Sequence, residues 1–296
     1  MSIIQAIILG IVQGLTEFIP ISSTAHLIFA GRAVGLYDGV SAALRAERTT
    51  ATIAVLQLGT LLAVLVYFAG DIWRISRAFI LDHLSLLTGK PGAGPAGERL
   101  SLDARLGWLI VIGSIPIAVI GLLFKKQIEG TFTKNLWIIA TMMIVIGVAL
   151  AIAEMVGKQQ RSMEQLGIFD AIVVGFAQCL ALIPGSSRSG STIMAGLFAG
   201  EVRETAARFS FLLSIPAVGA SGLLELKEAV HKLPPGSGLP VLVGTIVSFL
   251  VGYASIWFLL RFLRTHSTGV FIAYRMIIGC LILIGLWGGY ISASVK

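Results

Sequence analysis

Charge is scarce in this chain. Asp, Glu, Lys and Arg make up 12% of its 296 residues, against roughly 25% in soluble domains, and mean hydropathy is +0.92. A water-soluble fold is thereby excluded. Cysteine is nearly missing too: Cys179 and Cys280 both sit in apolar runs, which leaves no disulfide framework and no zinc-binding spacing. The 4 histidines are widely separated and add no metal-ligand pattern. The opening stretch MSIIQAIILGIVQGLTEF has neither a basic leader nor a small-residue cleavage site, and reads as mature protein. No long basic run accompanies the net charge of +7. Nucleic-acid binding is therefore not expected, whereas anionic headgroups, membrane lipids or an anionic substrate fit.

Long apolar segments fill the chain instead. Six read as full spans, at about 50–70, 106–124, 135–154, 206–225, 240–261 and 271–291, each near the roughly 20 helical residues that cross a bilayer core. Continuous runs rather than alternating ten-residue strands predict helices, and the 34 glycines suit close helix packing in lipid. A Gly/Pro connector, GKPGAGPAGERLSLD (89–103), joins the first two spans. The polar stretch 154–168 divides the chain into halves, 1–160 and 161–296.

Two regions fit no single span. Residues 3–19 would make a helix of about 25 Å that ends at PISST, and a short apolar piece then runs from His26 to Gly35. Residues 169–183, PGSSRSGST and 193–200 repeat that layout. Polar broken segments survive at membrane depth only inside protein or beside a cavity. Re-entrant helix–loop–helix hairpins at 3–35 and 169–200 are therefore predicted, each followed by three spans. GIVQGLTEFIPISS (10–23) and GFAQCLALIPGSS (175–187) share G-x-x-Q-x-L and I-P-x-S-S, with one residue fewer in the second. Three spans between the hairpins make the copies inverted. The expected fold is an all-α polytopic membrane protein with an inverted-topology repeat, its broken tips meeting near the midplane. Nine Lys and Arg fall on the side of the termini and twelve on the other, Arg275 among the twelve. That imbalance makes the termini's side the outer one and opens the first hairpin outward.

The tips carry the candidate chemistry. Glu17 is a carboxylate in an apolar helix, a functional mark by default because unpaired burial costs several kcal/mol. Gln13 lies one turn earlier on the same face. Pro20 ends that helix, and Ser22, Ser23 or Thr24 can cap the next, with Ser22 the expected cap. His26, three residues after Ser23, would share its face and could exchange a proton with its hydroxyl. Arg188 stays charged on burial and offers a planar fork to phosphate oxygens. Gly185 and Gly190 permit close approach or positive φ. Amides where a helix over 191–200 begins would add anion donors, and Ser186, Ser187, Ser189 and Thr192 could bond the remaining oxygens. A bare Glu17–Arg188 charge pair would explain the charges but not these glycines and hydroxyls. The set predicts a lipid phosphate or diphosphate as substrate, with Ser23 attacking or positioning water. Glu17, with Gln13, could hold a divalent ion whose other ligands are phosphate oxygens.

QGLTEFIPISSTAH (13–26) and PGSSRSGST (184–192) resemble the two signatures of the bacterial undecaprenyl-diphosphate phosphatases of the bacitracin-resistance type. Those signatures are an acid or glutamine four residues before a glutamate, and P-G-x-S-R-S-x-x-T. FAQCLALIPG (176–185) and RFSFLLSIP (208–216) are similar to family sequence as well, so the likeness covers nearly the whole chain. The resemblance implies hydrolysis of undecaprenyl diphosphate to undecaprenyl phosphate and inorganic phosphate in the bacterial plasma membrane. That reaction recycles the lipid carrier for peptidoglycan synthesis and confers bacitracin resistance, because the drug sequesters the diphosphate. It also implies a divalent cation, Mg²⁺ ahead of Ca²⁺, and an inverted repeat whose site faces outward. The implied roles are Glu17 as metal-associated catalyst, Ser23 as nucleophile, His26 as its acid/base partner and Arg188 as phosphate clamp. Two departures stand out: Gln13 replaces a common glutamate, which favours an orienting role over a base, and Ala25 replaces a common glycine. A transporter or scramblase of anionic prenyl lipids is the rival reading, and a homodimer is left open.

Overall fold

The computed structural model describes residues 1–88, 100–124 and 135–293, apart from the side chains of residues 42, 223–225, 227, 228 and 230. In chain order the helices are α1 (Ile3–Phe18), α2 (Ser23–Ala33), α3 (Ala42–Tyr67), α4 (Ala69–Leu87), α5 (Leu102–Leu123), α6 (Leu136–Val156), α7 (Ile168–Cys179), α8 (Arg188–Phe198), α9 (Arg203–Lys232), α10 (Gly238–Leu263) and α11 (Gly269–Trp287). Among the described residues α3, α5, α6, α10 and α11 are long and apolar enough to cross a membrane. The sixth expected span, 206–225, lies within α9. The chain is an all-α, multi-pass membrane protein. Residues 89–99 of the expected connector lie outside the described residues. So do Lys90, Arg99, Lys125, Lys126, Lys134, Lys296 and the Lys227 side chain from the charge tally.

α1 and α7 are too short to cross. The 16 residues of α1 rise about 24 Å, and α7 has 12 residues. A capping box starts α1: Ser2 Oγ accepts from the Gln5 amide, and Gln5 Oε1 accepts from the Ser2 amide. Each short helix lies along a long one at glycine contacts, α1 on α10 and α7 on α5. A Cβ on Gly14 would fall 2.8 Å from the Gly252 amide nitrogen, and one on Gly175 2.5 Å from the Gly113 carbonyl oxygen. Backbones this close leave no room for a side chain. Beneath the tips, Phe18 packs edge-on against Phe211 with ring centroids 5.3 Å apart, and Phe68 joins them.

Sequence and structure differ in the region after the first span. Residues 69–87 are a helix, α4, rather than connecting loop. Ile75 and Phe79 face Gly107 of α5, while Asp71, one turn before Ile75, pairs with Arg74 and Arg208. An amphipathic helix has modest mean hydropathy, so a search for uniformly apolar runs passes over it. The second arms of the hairpins also begin earlier than expected, at Ser23 and Arg188.

The turn between α8 and α9, one short helix past the second tip, buries an acid. Glu201 is 0% exposed and neither carboxylate oxygen has a partner among the described residues. Gly196 leaves the space that its carboxylate fills. The nearby Asp170 holds Arg161 through both oxygens, at 2.5 and 2.6 Å. Burial, reinforced by the Asp170 charge and only partly offset by Arg161, pushes Glu201 up from 4.5 to about 8.

Two measurements follow from this packing. Gly14→Leu is expected to cost about 3 kcal/mol through overpacking against α10, seen as a lowered unfolding midpoint in detergent; an unchanged midpoint would show that the helices can separate cheaply. For Glu201 the folded pKa is raised, so its stability contribution is complete below 4.5 and is lost as pH rises through about 8. The unfolding midpoint should therefore fall between about pH 4.5 and 8, and Glu201→Gln should flatten that slope. Equal slopes in the two proteins would refute it.

Candidate active site

Proline and strained serines build the two tips. α1 stops because Ile19 is extended ahead of Pro20, and the Ile21 amide closes a tight turn on the Ile19 carbonyl at 2.7 Å. Ser22 precedes α2 with φ 78° and makes no side-chain capping bond, so the expected hydroxyl cap is not formed there. In the second tip a short 3₁₀ turn, Leu180–Leu182, leads to Gly185 at φ 95° and Ser187 at φ 66°. Ser187 does cap α8, its Oγ accepting from the Gly190 amide at 3.2 Å. A left-handed φ at a non-glycine residue costs of order 1 kcal/mol or more and persists only where surroundings impose it. The same count of residues separates Gln13 from Ser22 and Gln178 from Ser187. Ser23 and Arg188 are thus matching first residues of α2 and α8.

The tips meet. Arg188 Nη2 donates to Glu17 Oε1 at 3.1 Å, with the two side chains 10% and 7% exposed. The other carboxylate oxygen, Oε2, accepts from Ser23 Oγ at 3.0 Å and from Gln13 Nε2 at 3.2 Å. Gln13 Nε2 also reaches Thr60 Oγ1 at 3.2 Å, which ties the acid to α3. The Ser23 hydroxyl therefore pairs with Glu17 and not with His26, contrary to the sequence expectation. Because α2 begins at Ser23, His26 Nδ1 reaches back one turn to the Ser22 carbonyl oxygen at 2.7 Å. A carbonyl only accepts, so Nδ1 carries the hydrogen and Nε2 accepts from the Tyr274 hydroxyl at 2.7 Å. The Tyr274 ring stacks on the imidazole.

The remaining predicted residues divide by what their polar atoms do. Thr24 is exposed. Ser186 is buried and donates to the Ile183 carbonyl at 2.7 Å. Ser189 shares a hydrogen bond with Ser187 at 3.1 Å. Thr192 Oγ1 is held by the Arg188 carbonyl at 2.8 Å and by Ser210 Oγ at 2.5 Å. Gly185 lets the loop press on the backbone of Ile139 in α6, and Gly190 clears space for Arg275. Arg188 Nη1 is buried and has no partner among the described residues. A desolvated guanidinium nitrogen without an acceptor is costly, and an anion beside Glu17 would satisfy it.

Arg275 requires a correction. The charge tally counts it on the cytoplasmic side, yet it is 0% exposed and sits behind both tips. Its nitrogens bond the carbonyl oxygens of Pro20, Gly185 and Ser186, and those of Met142 and Met143 in α6. Its position near the predicted start of the last span allowed it to be read as a surface charge.

Comparison with known proteins covers both hairpins. A family model described as "Bacitracin resistance protein BacA" matches residues 6–281. The undecaprenyl-diphosphatase of Syntrophobacter fumaroxidans is 49% identical over 283 residues, which span 96% of this chain and 97% of that protein. That of Mycolicibacterium gilvum is 49% identical over 296 residues, spanning 99% and 100%. The chain belongs to the BacA family. Within that frame, sequence reasoning missed Thr60, Tyr274 and Arg275. An arginine inside the apolar run IAYRMIIGC was a visible signal for the last two, since intramembrane charge marks function. A lone threonine in a span, like Thr60, carries no such signal.

Glu17→Ala or Arg188→Ala leaves a buried charge unpaired, and each is expected to cost about 3–5 kcal/mol of stability. Glu17→Ala combined with Arg188→Ala should cost clearly less than the sum of the single changes. A double-mutant cycle on detergent-solubilised protein reads this coupling, and strictly additive losses would deny the contact.

Proposed function

We propose that the chain hydrolyses undecaprenyl diphosphate to undecaprenyl phosphate and inorganic phosphate. The observation that carries this reading is the junction of Ser23, Glu17 and Arg188, with one guanidinium nitrogen left over for a phosphate oxygen. Arg188 Nη1 and the first amides of α8 bind the terminal phosphate. Glu17 accepts the Ser23 proton as Ser23 Oγ attacks phosphorus. The bond from that phosphorus to the bridging oxygen breaks, and undecaprenyl phosphate leaves. Water then cleaves the phosphoserine and releases inorganic phosphate. Arg188 stabilises the charge on the transferring phosphoryl group. His26, fixed as the Nδ1–H tautomer, offers Nε2 and the Tyr274 hydroxyl as a proton path for the leaving group or the water.

A divalent cation fits only as a shared ligand of protein and substrate. Among the described residues no group of three His, Cys, Asp or Glu could hold a metal, and the guanidinium contacts the single acid at the tips. Glu17, with the side-chain oxygen of Gln13, would hold Mg²⁺ or Ca²⁺ only alongside phosphate oxygens, the pattern usual for Mg²⁺. When bound, the ion would neutralise phosphate charge.

We also infer that residues 1–160 and 161–296 are inverted repeats, each opening with a re-entrant hairpin, and that the site faces the outer side. Three features support the repeat. Gly10 and Gly175 occupy corresponding helix contacts, on α10 and α5. Ser22 and Ser187 share the left-handed conformation. The element pairs α1 with α10 and α7 with α5 correspond under the exchange of halves. The repeat has diverged in chemistry, because Leu182 stands where Glu17 does in the first copy. Burial of Arg275 narrows the charge margin behind the outward orientation.

Phosphate release from polyprenyl diphosphate by the purified full chain tests the reading. Ser23→Ala and Arg188→Ala are each expected to lose about 10³-fold or more in turnover, with a smaller loss for Gln13→Ala, and chelation is expected to abolish the reaction. Undiminished release by both variants would remove the site. Movement of lipid across vesicles without phosphate release would favour the carrier reading.

A further inference from the structure

We propose that Arg275 is a positioning residue for phosphoryl transfer: it locks the two tip turns together and aims the Ser187 amide at the charge that develops on the transferring phosphoryl group. The inference rests on the phosphate site proposed above at Arg188.

The geometry is unusual for a buried cation. Arg275 is 0% exposed, and among the described residues no carboxylate pairs with it. Its acceptors are five backbone carbonyls. Nη1 holds Pro20 of the first tip at 3.1 Å, and Nη2 holds Gly185 and Ser186 of the second, both at 3.0 Å. Nε holds Met143 of α6 at 3.2 Å, with Met142 at 3.4 Å from Nη2. One planar fork thereby connects both broken helices to a membrane-spanning one. A lysine could keep the charge but could not present donors in these fixed directions.

Two consequences concern chemistry rather than stability alone. In a trans peptide the carbonyl of one residue and the amide of the next point in opposite directions. Binding the Ser186 carbonyl therefore turns the Ser187 N–H away from Arg275. Among the described residues that amide donates to no protein group, and the next residue in the chain is Arg188. Ser187 is also strained, at φ 66°, and a strained peptide adjoining the anion-binding arginine needs an external clamp to stay in place. The second consequence is charge. Glu17 pairs with Arg188 and no carboxylate pairs with Arg275 among the described residues, so the tips hold an excess positive charge in a poorly solvated setting. A phosphate offsets it.

Gly190 supplies an independent handle. A Cβ there would lie 2.9 Å from Arg275 Nη1 and 3.3 Å from Ser187 Cβ and Oγ, so Gly190→Ala displaces the guanidinium from the Ser187 turn without removing it. The experiment compares kcat and KM for polyprenyl diphosphate among wild type, Arg275→Lys, Gly190→Ala and Arg188→Ala. All are full chains in detergent, normalised to monodisperse folded protein. Loss of one preorganised oxyanion donor costs about 10²–10³-fold in kcat. Arg275→Lys is expected to lose about 100-fold in kcat with KM within about threefold, and Gly190→Ala about tenfold in the same direction. A purely structural Arg275 would reduce the yield of folded protein and leave kcat per folded molecule intact, which overturns the proposal. Full rescue by Lys also overturns it, because charge alone would then suffice. If Arg275→Lys fails to fold, Gly190→Ala decides: wild-type kcat refutes the inference and the tenfold loss supports it. Activity retained by Arg188→Ala would remove the phosphate site itself, whereas loss there with normal Gly190→Ala would refute only the role of Arg275.

Discussion

The contact between Glu17 and Arg188 is the constraint to which the rest of the fold answers. Either charge alone among apolar helices would be severely destabilising. Together, at 3.1 Å and with hydrogen bonds from Ser23 and Gln13 completing the carboxylate, they become tolerable. Bringing them together requires two helices that stop partway, each with its broken end directed at the other. Those short helices must in turn be carried on long ones, which is where Gly14 against Gly252 and Gly175 against Gly113 matter. The glycine contacts are therefore part of the site, although none of them touches it.

The tips are asymmetric in charge and nearly symmetric in backbone. Both place a serine in the left-handed region ahead of a short helix, which starts with Ser23 in one tip and Arg188 in the other. Such helix starts present positive partial charge, and Arg275 adds a full one behind them. Glu17 is surrounded by donors and can both balance Arg188 and take the Ser23 proton. A neutral ligand would leave Arg188 Nη1 unsatisfied. In the proposed mechanism, anion recognition and nucleophile activation thus share one carboxylate.

Much of this was legible in the linear pattern. Glu17, Arg188 and the serine-rich breaks stood out because polar residues in apolar runs have few physical excuses. The partner of Ser23 was not legible: sequence spacing favoured His26, but the start of α2 at Ser23 turned the imidazole toward the Ser22 carbonyl and Tyr274. Helix α4 escaped notice because amphipathic periodicity hides in averaged hydropathy. Thr192 and Ser186 looked like ligand groups, yet their hydroxyls bond local backbone, as such residues commonly do near helix starts.

The sequence by itself determined the membrane setting, the two broken segments, and the chemical inventory at each break. These depend on composition and local order, which are properties of short stretches. The tertiary structure alone decided which groups touch across 89 to 255 residues of chain: Glu17 with Arg188, and Arg275 with Pro20, Gly185 and Ser186. Pairings of that kind depend on how helices are carried past one another in three dimensions. No spacing along the chain encodes the direction in which a guanidinium will point.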